Sequence, residues 1–433
     1  MGFYVSDAEH YVGTMYHSLG GFSNVWHYDF MFLWNRKKRI YLDYASATSV
    51  RPEVVSAMLP YFNAHYGNAG SIHQEGVCAK RALEDSRETL ARVLRVRPSG
   101  IVFTGSGTES NNLALRGVIE TERAKGRAYA DMEIVASHIE HASVTEVLAH
   151  LQQLGVIIRY VPTNSLGIIE HLTFTEALHK NTVLVVLGYV NSEIGVVEHI
   201  GKLVRTVRVK ERELEAHIHV HVDAAQAPLW LPCALDALLV DTLTLDAGKC
   251  YGPKGVGVVV MRHSVHLAPY FFGGSQEFGL RSGTENVPLI VGAVRALVLA
   301  QEHHVVRAQQ VTLLRDAFIT MLLSIDGVEV NGSQEDRVAN NVNISIRGID
   351  SEFAVISLDA KGIACATKSA CGGARGDGSA VVRAITGDAA RALSTLRFTL
   401  GEETTYRELQ YTARALQEHV THIRTSMEAL TKK

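Results

Sequence analysis

No Cys-x-x-Cys pair occurs in this chain, and only five cysteines are spread over its 433 residues. An odd number without regular spacing argues against a disulfide framework and for a reducing compartment. The missing pairs also remove the common ligand pattern of a zinc site. Charge of neither sign dominates. The 42 Lys and Arg and 45 Asp and Glu leave a net charge of −3, so no basic field is present to draw nucleic acid. No apolar stretch reaches the roughly 18 residues that a membrane span needs. Repeats and low-complexity tracts are lacking as well. What remains is 47% hydrophobic and 20% charged, the ordinary balance of a globular chain. Its length suffices for two domains and a sizeable core.

Residues 1–39 read differently from the rest. Tyr4, Tyr11, Tyr16, Trp26, Tyr28, Phe30, Phe32 and Trp34 are scattered, and the basic run Arg36-Lys37-Lys38-Arg39 follows them. A secretory signal would place its positive charge first and end in small residues. Met1-Gly2-Phe3-Tyr4-Val5-Ser6 fits the short myristoylation pattern. The plainer expectation is a poorly ordered extension, with Met31 as an alternative start.

After Ile40, strand and helix signals alternate. Ile101–Thr104, Ile134–Ser137, Val183–Val190, His217–Val222, Asp241–Leu245 and Gly255–Met261 read as strands. Val144, Val147, Leu148, Leu151 and Leu154 mark one face of a helix. The nearly continuous apolar run at Val183–Val190 suits a strand covered on both faces. This is an α/β pattern with a largely parallel sheet. Thr108, His141, Asn191, Asp223 and Lys249 each follow a strand end, where ligands bind in open α/β sheets. His217, His219 and His221 read as one face of a strand rather than as a metal site. The stretch Arg295–Leu323 reads as a helix leading to a second part, with strands at Asn343–Ile346 and Thr395–Phe398 and a terminal helix.

Two residues carry the chemistry. Lys249 ends an apolar run and enters the Gly/Pro loop Tyr251-Gly252-Pro253-Lys254-Gly255, the setting of a Schiff-base lysine. Cys371 lies in Ser369-Ala370-Cys371-Gly372-Gly373, a small-residue loop that suits a mobile nucleophile. Together they suggest pyridoxal 5'-phosphate (PLP) coupled to a thiol. Gly107 and Thr108 open a helix whose free N–H groups and dipole would hold a phosphate. Cys78, Cys233, Cys250 and Cys365 read as structural.

The chain resembles the cysteine desulfurases, class V aminotransferase-like enzymes of PLP fold type I. The resemblance rests on the joint order of Tyr41-Leu42-Asp43-Tyr44-Ala45, Gly67-Asn68-Ala69-Gly70-Ser71-Ile72-His73, Gly107-Thr108-Glu109-Ser110-Asn111-Asn112, Glu140-His141, Glu193-Ile194-Gly195-Val196, Asp223-Ala224-Ala225-Gln226, Lys249, Arg281-Ser282-Gly283-Thr284 and Ser369-Ala370-Cys371. It implies a large domain (40–300) with a mostly parallel seven-stranded sheet flanked by helices. The first residues of that domain would pack with a smaller α+β domain (301–433) that carries the cysteine loop. It also implies a homodimer, conversion of L-cysteine to L-alanine, and a persulfide on Cys371 for an iron–sulfur scaffold or a tRNA-thiolation acceptor. The spacing from Cys371 to Arg397 resembles the housekeeping, iron–sulfur-assembly group, and the cysteine usage above suits a cytoplasmic enzyme.

In that resemblance Lys249 holds the cofactor and moves the substrate Cα proton. Asp223 pairs with the ring nitrogen, Gln226 donates to the phenolic oxygen, and His141 stacks on the ring and shuttles protons. Gly107 and Thr108 take the phosphate, with Thr284 reaching it from the neighbouring subunit. Arg397 binds the substrate carboxylate. The pattern departs in two places. The family's Ser-x-His before the lysine is Asp246-Ala247-Gly248 here, and the second Asn of its Asn-Asn-Glu is Ser192. An aspartate there would repel a dianion unless it turns away or is paired. Two other readings stay open: a selenocysteine lyase or other PLP lyase, and a non-catalytic dimeric relative with an impaired cofactor site.

Overall fold

The computed structural model describes residues 39–367 and 378–431. Cys371 and nearly all of the N-terminal extension lie outside the described residues. Seven strands form the large sheet: β1 (Ile101–Thr104), β2 (Glu133–Ser137), β3 (Ile157–Val161), β4 (Thr182–Gly188), β5 (His219–Asp223), β6 (Thr242–Asp246) and β7 (Gly257–Met261). Their order is β1-β7-β6-β5-β4-β2-β3. Only β7 runs against its neighbours, pairing antiparallel with both β1 and β6, while the other pairs are parallel. The strands other than β7 therefore point the same way, and their carboxyl ends lie on one edge.

Six of these strands lie where the sequence places them, within two residues at either end. β3 has no counterpart there. Its residues Ile157 to Tyr160 are partly or wholly exposed, as befits an edge strand, so it lacks the continuous apolar run that betrays β4. The helix α1 (Gln74–Leu94) packs against the long helix α5 (Val287–Leu323), and α2 (Gly107–Ala124) against α3 (Ala142–Gln153), while α4 (Ile200–Leu214) lies between β4 and β5 in the chain. One core cluster joins Leu113, Ile119 and Val118 of α2, Val144, Leu148 and Leu151 of α3, and Ile134, Leu184 and Val259 of the sheet. Leu154, expected on that same face, falls just beyond α3 and is exposed.

α5 begins eight residues earlier than the sequence reading placed it, because Asn286 caps it by accepting from the Leu289 N–H and Pro288 fits its first turn. It is also long and apolar enough, by length and composition, to cross a membrane, which corrects the expectation drawn from uninterrupted apolar runs. Its apolar residues Ile290, Val294, Leu297, Val311, Phe318 and Leu322 are instead buried within the fold. The second sheet orders β8 (Val328–Val330), β9 (Asn341–Ile346) and β10 (Thr395–Thr399) as β10-β9-β8, all antiparallel. Leu42 reaches it from the other end of the chain, accepting from the Thr399 N–H at 2.8 Å and donating to Ala364 O at 2.8 Å.

Close approach at one glycine sets the cavity wall. A Cβ on Gly257 would lie 2.2 Å from the Ser106 carbonyl carbon and oxygen, so only glycine lets β7 pass under the start of α2. A buried ion pair ties α1 to the same region. Arg87 donates to Glu277 at 2.8 and 2.9 Å and to Ile101 O, and Glu277 accepts from the Phe103 N–H at 2.8 Å. Removing one member would strand the other charge in the core. We expect Glu277→Ala to lower unfolding stability by about 3 kcal/mol or more, measured by urea denaturation. A double replacement, Arg87→Met with Glu277→Leu, should recover much of that loss, and a double variant as weak as the single one would refute this account.

Candidate active site

A cavity of about 280 Å³ opens at the carboxyl edge of the large sheet. Gly107, Thr108, His141, Ser192, Asp223, Gln226, Lys249 and Arg397 all line it, from residues nearly 300 positions apart. Asn191 lines it too, so each of the five polar residues expected after strand ends arrives in one place. Thr284 does not line this cavity and is exposed. The role assigned to Cys371 falls outside the described residues. Among the other cysteines, Cys233, Cys250 and Cys365 are buried and Cys78 is exposed, so the structural reading of Cys78 has no packing to support it. Burial pushes the Cys365 thiol up to about 12 and raises those of Cys233 and Cys250 well above the ordinary thiol value.

Each side chain is held by its element. The Lys249 ammonium donates to Ser46 O at 2.5 Å. Gln226 donates one amide proton to Ala45 O at 2.9 Å, which fixes the plane of the amide. Arg397 is 1% exposed. Its guanidinium donates to Ser192 O at 2.9 Å and to Asp43 Oδ1 and Ser46 Oγ at 2.8 Å each. It thus pairs with the partly exposed Asp43 as well as standing in the cavity wall.

Beneath Asp223 lies a polar network that the sequence reading missed. Asn111 donates through Nδ2 to Asp223 Oδ2 and to Ser143 Oγ, both at 2.8 Å. Its Oδ1 must then accept, at 3.1 Å, from His221 Nε2. That leaves His221 Nδ1 to accept from Thr242 Oγ1 at 2.9 Å, and Thr242 Oγ1 in turn accepts from His219 Nε2 at 2.8 Å. Both histidines are neutral in this arrangement. Burial holds His219 down at about 4 and His221 at about 3. Among the described residues no cluster of three or more His, Cys, Asp or Glu is placed to hold a metal ion. The available signal was Asn111 itself, one helical turn past Gly107 on the face that continues into buried Leu115 and Val118.

The network also decides the tautomer of His141. Its Nδ1 lies 3.1 Å from the Ser143 backbone N–H, which can only donate, and 2.8 Å from Ser143 Oγ. Nδ1 therefore accepts, and the ring proton of the neutral imidazole sits on Nε2. Behind His141 the cavity holds two further carboxyls, Glu140 and Glu198. Burial pushes Glu140 up to about 8, against the Gly188 N–H it accepts at 3.0 Å, with Asp223 and Glu198 adding to the rise.

At the other end, Ser106 caps α2 by accepting from the Glu109 N–H at 3.1 Å, and the Gly107 N–H faces the Asp246 carboxyl. The donor set fits PLP at the ring end, with an amine at Lys249, a carboxylate at Asp223 and an amide at Gln226. At the phosphate end the helix terminus and Thr108 fit an anion. Among the described residues that line the cavity, Asp246 is the carboxyl at that end, and its charge opposes an anion.

An amine, a facing carboxylate and a helix terminus, set beyond the carboxyl ends of a mostly parallel seven-stranded sheet, define a PLP enzyme of fold type I. The aminotransferase class-V family matches residues 40–411, and the chain belongs to it. Cysteine desulfurase IscS of Dictyoglomus turgidum is 37% identical over 390 residues, 90% of this chain and 96% of that protein. Cysteine desulfurase IscS 1 of Archaeoglobus fulgidus is 35% identical over 84% of this chain and 92% of that protein. The solved structure of a NifS-like protein superposes with a TM-score of 0.82 at 32% identity, covering 89% of this chain and all of that one. Within the class V family the chain is a member of the cysteine desulfurases.

Two outcomes follow from these environments. Folding of Glu140 takes up a proton between its ordinary 4.5 and about 8, so its contribution to stability falls with rising pH at about 1.4 kcal/mol per unit in that window. Glu140→Gln removes that slope, and its denaturation midpoint should gain on the parent from pH 4.5 to 8 and run parallel above. A constant difference across that range would contradict the neutral carboxyl. For His141, ¹⁵N NMR at pH 7.5 should show an unprotonated Nδ1 and a protonated Nε2. Ser143→Ala keeps the backbone N–H that donates to Nδ1, so the Nε2–H tautomer should persist in the variant, and a spectrum showing Nδ1–H in the parent would contradict the assignment.

Proposed function

We propose that the cavity carries out an L-cysteine desulfurase reaction, in which L-cysteine and the Cys371 thiol give L-alanine and a Cys371 persulfide. The observation that carries it is the convergence of Lys249, Asp223, His141, Gln226 and Arg397 on one cavity in a chain of cysteine desulfurase descent. When bound, PLP supplies a sink for the electrons left at the substrate Cα.

The remaining work falls to the protein. The Lys249 amine anchors the cofactor and moves the proton at the substrate Cα. Asp223, oriented by Asn111 and the Ala225 N–H at 3.0 Å, keeps a proton on the ring nitrogen. His141, with its proton on Nε2, faces the cavity as a hydrogen-bond donor. The Asn111–Ser143 chain thereby links it to the carboxylate under the ring. Gln226 and Ser192 are set for the oxygen substituents of ring and substrate. Arg397 binds the substrate carboxylate by turning part of its guanidinium from Asp43. Gly107 and Thr108 cradle the phosphate.

Thr284 is exposed on its own chain, and in this reading it completes the phosphate site of a second copy in a homodimer. The persulfide would pass to an iron–sulfur scaffold, or to a tRNA-thiolation relay, in the cytoplasm. The division near residue 300, crossed by α5, separates a cofactor-binding part from the part that bears the Cys371 loop.

Cys371→Ser separates the two halves of this reading. It should keep the visible absorbance of the PLP-loaded protein and its shift on adding L-cysteine, while sulfide release under reductant falls by at least about 100-fold, the scale of losing a nucleophile. Undiminished sulfide release would remove Cys371 as the acceptor. Competition between selenocysteine and cysteine distinguishes the selenocysteine lyase reading by its preference.

A further inference from the structure

The start of α2 is an anion site, and a carboxyl of this chain already stands in it. Asp246 closes β6 one residue before the turn to Lys249, and its Oδ1 accepts from the Gly248 N–H at 2.9 Å. On the other side it faces the first amide of α2. It accepts from the Gly107 N–H, and a Cβ built on Gly107 would meet Asp246 Oδ2 at 3.2 Å. Turning the side chain away would give up both bonds inside a partly closed space. The nearby charges do not cancel it simply. Lys249 lies on the same turn but donates to Ser46 O, and Lys254 donates to Thr48 O at 2.6 Å. Asp223 adds a like charge from β5. Arg281, the cation by the first turn of α2, is paired with Glu109 at 2.9 Å. Cys250 is buried and adds no positive charge.

A phosphate dianion brought to the same amides would meet this carboxylate at contact distance. Two anionic oxygens that close share a proton, as paired carboxylates do. Burial already raises Asp246 above its ordinary value, against the opposing pull of Lys249 and the two N–H groups.

We propose that Asp246 binds the cofactor phosphate as a neutral carboxylic acid, donating a hydrogen bond, so that cofactor capture by this chain takes up one proton from solvent. Asp246 is then a positioning and affinity-setting residue, and it makes retention of the cofactor weaker as pH rises. The inference rests on the PLP reading of the cavity and adds to it a charge rule of this chain's own.

The test is a PLP titration of the stripped full-length protein at pH 6.5, 7.5 and 8.5, followed by absorbance, for the parent, Asp246→Asn and Asp246→Ser. The amide mimics the neutral acid and cannot ionise. The ratio of parent to variant Kd cancels the ionisation of Lys249 and of PLP itself. That ratio should rise by up to about tenfold per pH unit. Calorimetry at pH 8 in two buffers of different ionisation heat should show about one more proton taken up by the parent. Parallel pH dependences with equal proton counts would overturn the proposal while leaving the cofactor reading intact. The serine variant keeps the comparison available should the asparagine variant fold poorly. Failure of parent and variants alike to bind PLP at any pH would overturn the cofactor reading, and this inference with it.

Discussion

The side chain of Asn111 offers two donor protons and one carbonyl, and its neighbours use both ends. Its amide nitrogen serves Asp223 and Ser143, so its oxygen can only face His221. From that single assignment the direction of every other bond follows: His219 to Thr242, Thr242 to His221, His221 to Asn111, and Ser143 to His141. A buried polar chain of this kind is worth having only if each member is satisfied, because in a low-dielectric interior an unpaired group is expensive. Here the hydroxyls of Thr242 and Ser143 both donate and accept, which is why residues with that dual capacity stand between the imidazoles and the amide. The Asp223 carboxylate and the His141 imidazole are thus both oriented from one helix residue, the first directly and the second through Ser143.

The sheet supplies the common edge that makes this possible. β1 and β6 are not hydrogen-bonded to each other, yet they point the same way because the reversed strand β7 lies between them. That insertion brings the helix following β1 beside the turn following β6. Gly257 on β7 is the residue that permits the approach, since any side chain there would strike Ser106. The start of α2 and the lysine turn are therefore neighbours through the third strand, although 142 residues separate Gly107 from Lys249 in the chain.

Much of this was legible in the sequence, and the reason is physical. Strands buried on both faces must be apolar throughout, so β4 and β7 announce themselves, and the polar residue that ends such a run faces the ligand edge. Asp223 and Lys249 are of that type. β3 was not legible because an edge strand has no need of the run. Asn111 and Ser143 were not legible because their partners lie 112 and 32 positions away, and neither breaks a periodic pattern strongly. The pairing of Arg397 with Asp43 spans 354 positions. A strand arginine shows that a charge is buried, but not which carboxylate meets it. The class of enzyme came through because its motifs are local, whereas the orientation of its groups depends on contacts between them.

Charge balance in the cavity extends the same argument. Glu140, Glu198, Asp223 and Asp246 face it, and its cationic side chains are Lys249 and Arg397. Arg397 already answers Asp43, so it cannot also neutralise the carboxyls nearer the ring. Four ionised carboxylates beside one lysine would repel one another at a distance where little water intervenes. Burial makes Glu140 a neutral acid near pH 7, which removes one of these charges, and it raises Glu198 and Asp246 in the same direction. A cofactor that brings further negative charge at its phosphate raises the demand for protons at that end, while the helix terminus can offer only partial charge. On the proposal for Asp246, protons held on carboxyl groups, rather than additional lysines or arginines, would let this site accommodate an anionic ligand.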